Sequence, residues 1–238
     1  MKQKQLAILG MISILLFPGR PTGAAEPSLS VPTLRVPRLS GIVRIDGNLD
    51  EPMWRKARRH KLVDNQNGKK PVQPTVVSVF HNDGILYVGF SCKSKLVTAG
   101  MTRRDDDLWR EEAVEVFLDP GGAGKEYLEV EVNPLGTVYD AWIRFSSTLD
   151  FEEAKSFHLT QLAAAAQIRR IRLDPQLDRG WTCEIAIPLV NLPVPISPAA
   201  RINLTRIDRV NKKHVYQAWS PTWKWFHVPS RFGRVEFE

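Results

Sequence analysis

Ala113-Val114-Glu115-Val116-Phe117-Leu118-Asp119 is the stretch that decides the fold. Val114, Val116 and Leu118 alternate with Glu115, Phe117 and Asp119, the period of two by which a strand turns one face to a core and the other away. A little further on, Leu128, Val130 and Val132 alternate in the same way with Glu129, Glu131 and Asn133. Asn133-Pro134-Leu135-Gly136 then reads as a turn, and residues 137–143 return as a third strand. Upstream, the apolar runs 76–80 and 86–90 flank His81-Asn82-Asp83-Gly84, where Asn-Asp-Gly supplies the positive φ of a tight hairpin. Residues 41–45, 168–173, 181–187, 202–208, 215–219 and 234–237 bring the total to about ten or eleven short strands. The pattern predicts an all-β chain, a two-sheet antiparallel β-sandwich with Val114, Val116, Leu118, Val130, Val132, Ile185 and Ile187 in its core. One short helix near the N-terminus is expected over residues 50–57, with Asp50 as its cap and Pro52 in its first turn. Ala163 to Ala166 reads as a helical turn.

With 238 residues, 43% of them hydrophobic and 25% charged, the chain is long enough to bury one large core. Its first residues read as a processing signal rather than as structure. Lys2 and Lys4 precede an apolar run from Leu6 to Phe17, which is short for a bilayer, and Gly23 and Ala25 make a small-x-small cleavage site. The expected organisation is a signal peptide over 1–25, a proline-containing lead-in over 26–38 and the sandwich over 39–238. This implies an exported protein, secreted or periplasmic, with no stable membrane insertion. Removing the three bases of the signal from 33 leaves 30 against 26 acids, or +4. That mild and scattered excess does not build the basic face that nucleic-acid binding requires. Cys92 and Cys183 are the two cysteines. With no Cys-x-x-Cys and no Cys/His cluster they build no zinc site. They read as two buried thiols, with a disulfide after export as the alternative.

Several segments resemble the family 9 carbohydrate-binding modules and their single-domain relatives. They are Ile45-Asp46-Gly47-Asn48-Leu49-Asp50-Glu51-Pro52-Met53-Trp54; Leu86-Tyr87-Val88-Gly89-Phe90; and Arg104-Asp105-Asp106-Asp107-Leu108-Trp109 with Val114-Glu115-Val116-Phe117-Leu118-Asp119-Pro120. Val132-Asn133-Pro134, Gly180-Trp181 with Glu184-Ile185-Ala186-Ile187-Pro188, and Trp219-Ser220-Pro221-Thr222 with Phe226-His227-Val228-Pro229 complete the series. Their order and spacing cover nearly all of residues 40–238. The resemblance implies a β-sandwich that holds oligosaccharide or polysaccharide, typically xylan or cellulose chain ends, between two tryptophan rings. It also implies structural calcium in some members, and the company of glycoside hydrolases in many.

Sugars present C–H faces and hydroxyl rims, so their sites need flat aromatic surfaces together with carboxylates, amides and arginines. Trp109 lies on a polar loop, where strand alternation does not account for a large ring, and it matches the family's first sandwiching tryptophan. Glu115 matches the sugar-bonding glutamate. Trp223 and Trp225 share a loop, and either is a candidate for the second wall, although the amide that partners that wall in the family is not evident. Trp142 and Arg144 fall on one face of a strand, as a platform and a hydroxyl-binding group. The expected site is an open cleft with Trp109 facing Trp223 or Trp225 near Glu115, and Arg144 within reach. Trp54 and Trp181 read as core.

Other chemistries are weighed on the same residues. Asp105, Asp106, Asp107, Glu111 and Glu112 offer oxygens to calcium but lack a spaced ligand loop, so a solvated loop paired with Arg103, Arg104 and Arg110 is the simpler reading. Glu115, Glu129 and Glu131 share one sheet face, yet a flat face predicts no raised pKa and no water-excluded pocket. Sugar binding is therefore favoured over glycoside hydrolysis. A haem-binding electron-transfer sandwich would need Met101 as an axial ligand, and no Cys-x-x-Cys-His is present.

Overall fold

The computed structural model describes residues 30–144, 151–171 and 174–238, and Val31–Glu238 forms one compact unit. The expected signal peptide and the first residues of the lead-in lie outside the described residues. In chain order the elements are β1 (Thr33–Val36), α1 (Pro52–Lys56), β2 (Arg58–Lys61), β3 (Val63–Asp64), β4 (Thr75–Asn82) and β5 (Ile85–Lys93). Then come β6 (Ala113–Asp119), β7 (Glu126–Val132), β8 (Val138–Arg144), α2 (Phe151–Ala154) and β9 (Ala163–Ile171). The last are β10 (Asp174–Pro188), β11 (Arg201–Val210), β12 (Lys213–Ala218) and β13 (Gly233–Phe237). Among the described residues no helix is long and apolar enough to cross a membrane.

A five-stranded sheet runs β2-β4-β5-β10-β9. Its β4–β5 hairpin turns on two residues, Asp83 and Gly84, with φ of 48° and 77°, so Asn82 pairs directly with Ile85. Two consecutive positive φ values are what the right-handed twist of the flanking strands requires. The outer strand β2 carries exposed Arg58, Arg59 and Lys61, charges that discourage another strand from adding there.

The second sheet has eight strands, ordered β1-β13-β11-β6-β7-β8, with β12 on β11 and β3 on β12. Between the sheets lies the main core. It contains all seven expected residues, Val114, Val116, Leu118, Val130, Val132, Ile185 and Ile187, and also Trp142, Trp181 and the free thiols Cys92 and Cys183. Trp54 is buried too, packed edge-on against Phe80 at 4.8 Å. A Cβ on Gly89 would meet the Trp54 ring at 2.7 Å, so the β5 glycine makes room for that ring.

Four local expectations are corrected. The lead-in contains a strand: Leu34 and Val36 are fully buried in β1, which pairs in parallel with β13, while Pro32 and Pro37 bracket it and hide its alternation. Residues 41–45 form no strand. Ala163 to Ala166 belong to β9, paired with β10, where alanine is accepted because the neighbouring strand supplies the pairing. The residue capping α1 is Glu51 rather than Asp50, and it makes no side-chain capping bond.

The outer face of the eight-stranded sheet is not bare. Phe117, Tyr127, Tyr139, Ala141, Ile143 and Ile207 lie under Leu108, Ala154, Phe226 and Phe232, contributed by loops and by α2, and form a second apolar layer. Every residue of β6 is therefore buried, the acidic ones included.

Candidate functional site

The register of β6, β7, β8 and β11 places three glutamates side by side on this covered outer face. Glu115 stands directly across from Glu131, with Thr205 on its other side and Tyr139 beyond Glu131. In the next row Phe117 faces Glu129. The three carboxylic residues are only 2%, 3% and 2% exposed for Glu115, Glu129 and Glu131. Thr205 Oγ1 donates to Glu115 Oε2 at 2.5 Å, and the Trp109 backbone lies beside Glu131. Glu131 Oε2 is buried with no partner. His227 Nε2 stands 3.5 Å from Glu129 Oε1, and Tyr127 Oη lies 2.7 Å from His227 Nδ1.

Burial pushes the Glu115 carboxyl up to about 8. Burial raises Glu129 and Glu131 well above the usual carboxylate range, and the charge of Glu115 raises both further; Glu129 and Asp107 add to the effect on Glu131. Burial lowers His227 to about 4, so its ring is neutral at ordinary pH. The expectation that this face raises no pKa is overturned. The alternation reports which side of a strand a glutamate occupies, not whether loops cover that side.

Two tryptophans border the cluster. Trp109 is 47% exposed, with its backbone on Glu131 and the Arg110 guanidinium 4.5 Å above its ring. Trp225 is 46% exposed, and its ring lies 5.1 Å from that of His227, which reaches Glu129. Glu129 and Glu131 are two residues apart on β7, so the two rings mark neighbouring borders of one carboxylate patch. Trp223 behaves differently. Its φ is +62° and its ring turns back over Gly68, where an added Cβ would lie 3.1 Å away.

The loops that carry the rings are fixed by buried amides. Asn133, in the Asn-Pro-Leu-Gly turn, donates to the Met101 carbonyl and to Glu111 Oε1, each at 2.8 Å, and accepts from the Leu135 and Thr137 N–H groups. Glu111 in turn accepts from Gly100 and Met101, which secures the loop leading to Trp109. On the other side Asn65 Nδ2 donates to the Lys224 carbonyl at 2.7 Å, while Asn65 Oδ1 accepts from the Thr222 N–H at 2.8 Å. Asn203 holds Ser220 in the same two-way manner. Sequence reasoning missed Asn65, which sits far from the tryptophans in the chain and within no motif.

Two expected site residues lie elsewhere. Trp142 is only 3% exposed; it packs in the main core beside Phe157 and donates to Glu126 Oε2 at 2.8 Å, leaving no open ring face. Arg144 pairs with Glu126 at 3.7 Å. Both point to the inner face of β8, because they alternate with Tyr139, Ala141 and Ile143, which share the face of the glutamates. Arg144 is therefore not within reach of Glu115.

The acidic loop does not fit calcium. Glu111 and Glu112 turn inward, Glu112 to Trp181 and Arg206. Asp106 and Asp107 pair with Arg103 and Arg110. Among the described residues the donor group that converges is Asp105, Asp140 and His158. It includes an imidazole, and Arg104 already pairs with Asp140, unlike the oxygen cage of six to eight ligands that calcium takes. Met101, the axial ligand of the haem reading, packs against the second apolar layer.

Known proteins are similar along most of the chain. The model of the carbohydrate family 9 binding domain-like family matches residues 45–238. A protein of Arthroderma benhamiae named "Extracellular protein" is 28% identical over 182 residues, 71% of this chain and 81% of that one. A crystal structure from Bacteroides uniformis superposes with a TM-score of 0.68 at 16% identity, covering 88% of this chain and all of the other. A family 9 module from Caldicellulosiruptor kristjanssonii, solved with cellotriose, gives a TM-score of 0.59 at 16% identity over 87% of this chain and 93% of that one. The glucose complex of a family 9 module from the same organism gives 0.57 at 15% identity, over 87% and 95%. At such identities the likeness concerns the fold, whereas the family model spans most of the chain. The chain belongs to the carbohydrate family 9 binding domain-like family.

Proposed function

We propose that this protein binds oligosaccharide or polysaccharide, with cellulose- and xylan-type chains as the first candidates, and does so outside the cytoplasm. One observation carries the reading: two half-exposed tryptophans, Trp109 and Trp225, border a patch of carboxylates held by rigid loops. Aromatic rings take the C–H faces of a pyranose, and the carboxylates take its hydroxyls. The modules solved with cellotriose and glucose support the ligand class, and the printed name of the Arthroderma relative supports export together with the signal-like residues 1–25.

Binding without cleavage is the better reading. A glycosidase flanks the scissile bond with two carboxyls from opposite sides. Here Glu115, Glu129 and Glu131 all project from one side of one sheet. Any hydrolysis of the bound chain then belongs to a partner enzyme, in keeping with a role in carbohydrate catabolism. Calorimetric titration with cello- and xylo-oligosaccharides tests the reading. The parent chain binds at least one series, and Trp109→Ala loses that binding while its melting curve stays near the parent's. Undiminished binding by Trp109→Ala would refute the role of this ring.

A further inference from the structure

The tip of the β11–β12 hairpin stands beside Trp109 and is basic. The hairpin turns through Asn211 and Lys212, with φ of 51° and 65°, and residues 209–214 carry Arg209, Lys212 and Lys213 with no acid among them. Arg209 reaches from this tip to the residue after the tryptophan: its Nη2 donates to the Arg110 carbonyl at 3.0 Å, in a contact at the surface. Arg110 in turn holds its guanidinium 4.5 Å over the Trp109 ring. One arginine therefore covers the ring, and a second stands at its border.

The two differ in what answers their charge. Arg110 Nε donates to Asp107 Oδ2 at 2.9 Å. Among the described residues no carboxylate pairs with Arg209; its side chain bonds to a carbonyl, and its Nε is enclosed without a partner. Asp208, next to it in the chain, turns to Arg206. The Arg209 charge acts on its surroundings: His214, directly opposite on β12, has its pKa lowered by burial and then by Arg209. Arg209 is half-buried and Lys212 and Lys213 are exposed, so a ligand in solvent has access to them. The glutamate patch does not repel an anion, because Glu115 keeps its proton up to about 8, and Glu129 and Glu131 are raised too.

A guanidinium presents a planar fork that suits a carboxylate better than it suits a hydroxyl. In a hexuronic acid the carboxylate stands at the edge of the pyranose ring, so a unit stacked on an indole directs its charge sideways. The cation that receives it must then stand beside the aromatic ring, as Arg209 does. We infer that the favoured ligand is a glycan carrying uronic acid, such as a glucuronic-acid-branched xylan, whose carboxylate is received by Arg209 at the border of Trp109. The inference rests on the carbohydrate reading above and names the substrate class of that site.

The test uses three xylotetraose ligands: one with a glucuronic acid branch, the same molecule with the branch carboxyl reduced to the alcohol, and the unbranched chain. They are titrated calorimetrically into the parent chain at neutral pH, with cellotetraose as a further neutral ligand. The acid is expected to bind about tenfold or more tighter than its reduced counterpart. Arg209→Gln brings that ratio toward one, and a melting curve establishes that the variant folds. Arg59→Gln, which removes a charge from β2 in the other sheet, leaves the ratio unchanged. If the acid and its reduced counterpart bind the parent chain equally, the uronate inference falls and the carbohydrate reading stands. If none of the four ligands binds, both fall. A preference that survives in folded Arg209→Gln, or that Arg59→Gln erodes equally, overturns the inference. Should Arg209→Gln fail to fold, the parent chain's ratio compared with that of Arg59→Gln decides.

Discussion

Trp181 Nε1 donates to Glu112 Oε1 at 2.7 Å, so an indole on the five-stranded sheet is tied to a carboxylate at the start of β6 on the other. The same oxygen receives Arg206 Nη2 at 2.5 Å, and Arg206 Nη2 also reaches Asp208 Oδ1 at 2.8 Å. Gln73 donates to both oxygens of Asp208. A fully buried guanidinium therefore has two carboxylates and an amide arranged around it, and the indole completes the set. Trp181→Ala is expected to cost about 3–5 kcal/mol through the cavity alone. Trp181→Phe retains most of the volume but strips one donor from Glu112, at about 1–3 kcal/mol. Urea denaturation of the two variants measures the difference.

Trp223 and Trp225, two residues apart in the loop before β13, are expected to separate cleanly. Trp225→Ala removes an exposed ring beside His227 and weakens oligosaccharide binding about tenfold or more, at a stability cost below about 1 kcal/mol. Trp223→Ala uncovers the turn at Gly68, lowers the melting temperature and leaves more of the binding intact. Titration and thermal melts of both variants check the assignment, and the reverse ranking would make Trp223 the second wall.

Asn65→Ala tests whether a residue with no surface of its own governs the site. The side chain is fully buried, yet it holds the Lys224 carbonyl and the Thr222 N–H on either side of the loop that ends in Trp225. Its loss leaves those buried groups unpaired, which costs about 1–3 kcal/mol. Affinity is expected to fall as Trp225 loses its position. An unchanged affinity would show that the loop holds its shape without this amide.

Stability should depend on pH with a particular sign. Glu115 holds its proton up to about 8 in the folded chain against an ordinary value of 4.5. Its contribution is fully present below the unfolded value and is lost as pH rises through about 8; Glu129 and Glu131, also raised, act in the same direction. His227 acts oppositely. With its pKa lowered to about 4, it costs stability as pH falls from 6.5. Between about 4.5 and 6.5 the two trends oppose, and three carboxyls outweigh one imidazole. Above that window only the decline remains. Thermal melts from about pH 5 to about pH 9 are expected to show the melting temperature falling, most steeply between about 6.5 and about 8, and Glu115→Gln flattens the slope there.

Much of the sandwich was legible because Val114, Val116, Leu118, Val130 and Val132 obey a period of two that only a strand uses. The same rule put Trp142 and Arg144 on one face of their strand, but it did not say which, and the expected reach of Arg144 to Glu115 failed because that face is the inner one. Parity does not reveal cover. Glu115, Glu129 and Glu131 occupy polar-looking positions, and only the packing of Leu108, Phe226 and Phe232 over their neighbours shows that they are dry. Alanine carries no strand signature, which hid β9, and prolines on either side hid β1. Trp109 could be found as a large ring in a polar loop. Asn65 could not, because its role depends on a loop more than 150 residues away.

The pairing of β1 with β13 has a consequence for the order in which the molecule assembles. The β4–β5 hairpin closes across two residues and can form while the chain is still short. Thr33 and Arg234, by contrast, are neighbours in space and lie at opposite ends of the domain in sequence. The entropy of closing so large a loop is repaid only after the intervening strands have already drawn the ends together. The eight-stranded sheet therefore acquires its last edge only after β13 has been made. Until then β1 has no parallel partner, and the nascent domain presents an open seam on which chaperones or a second chain can act.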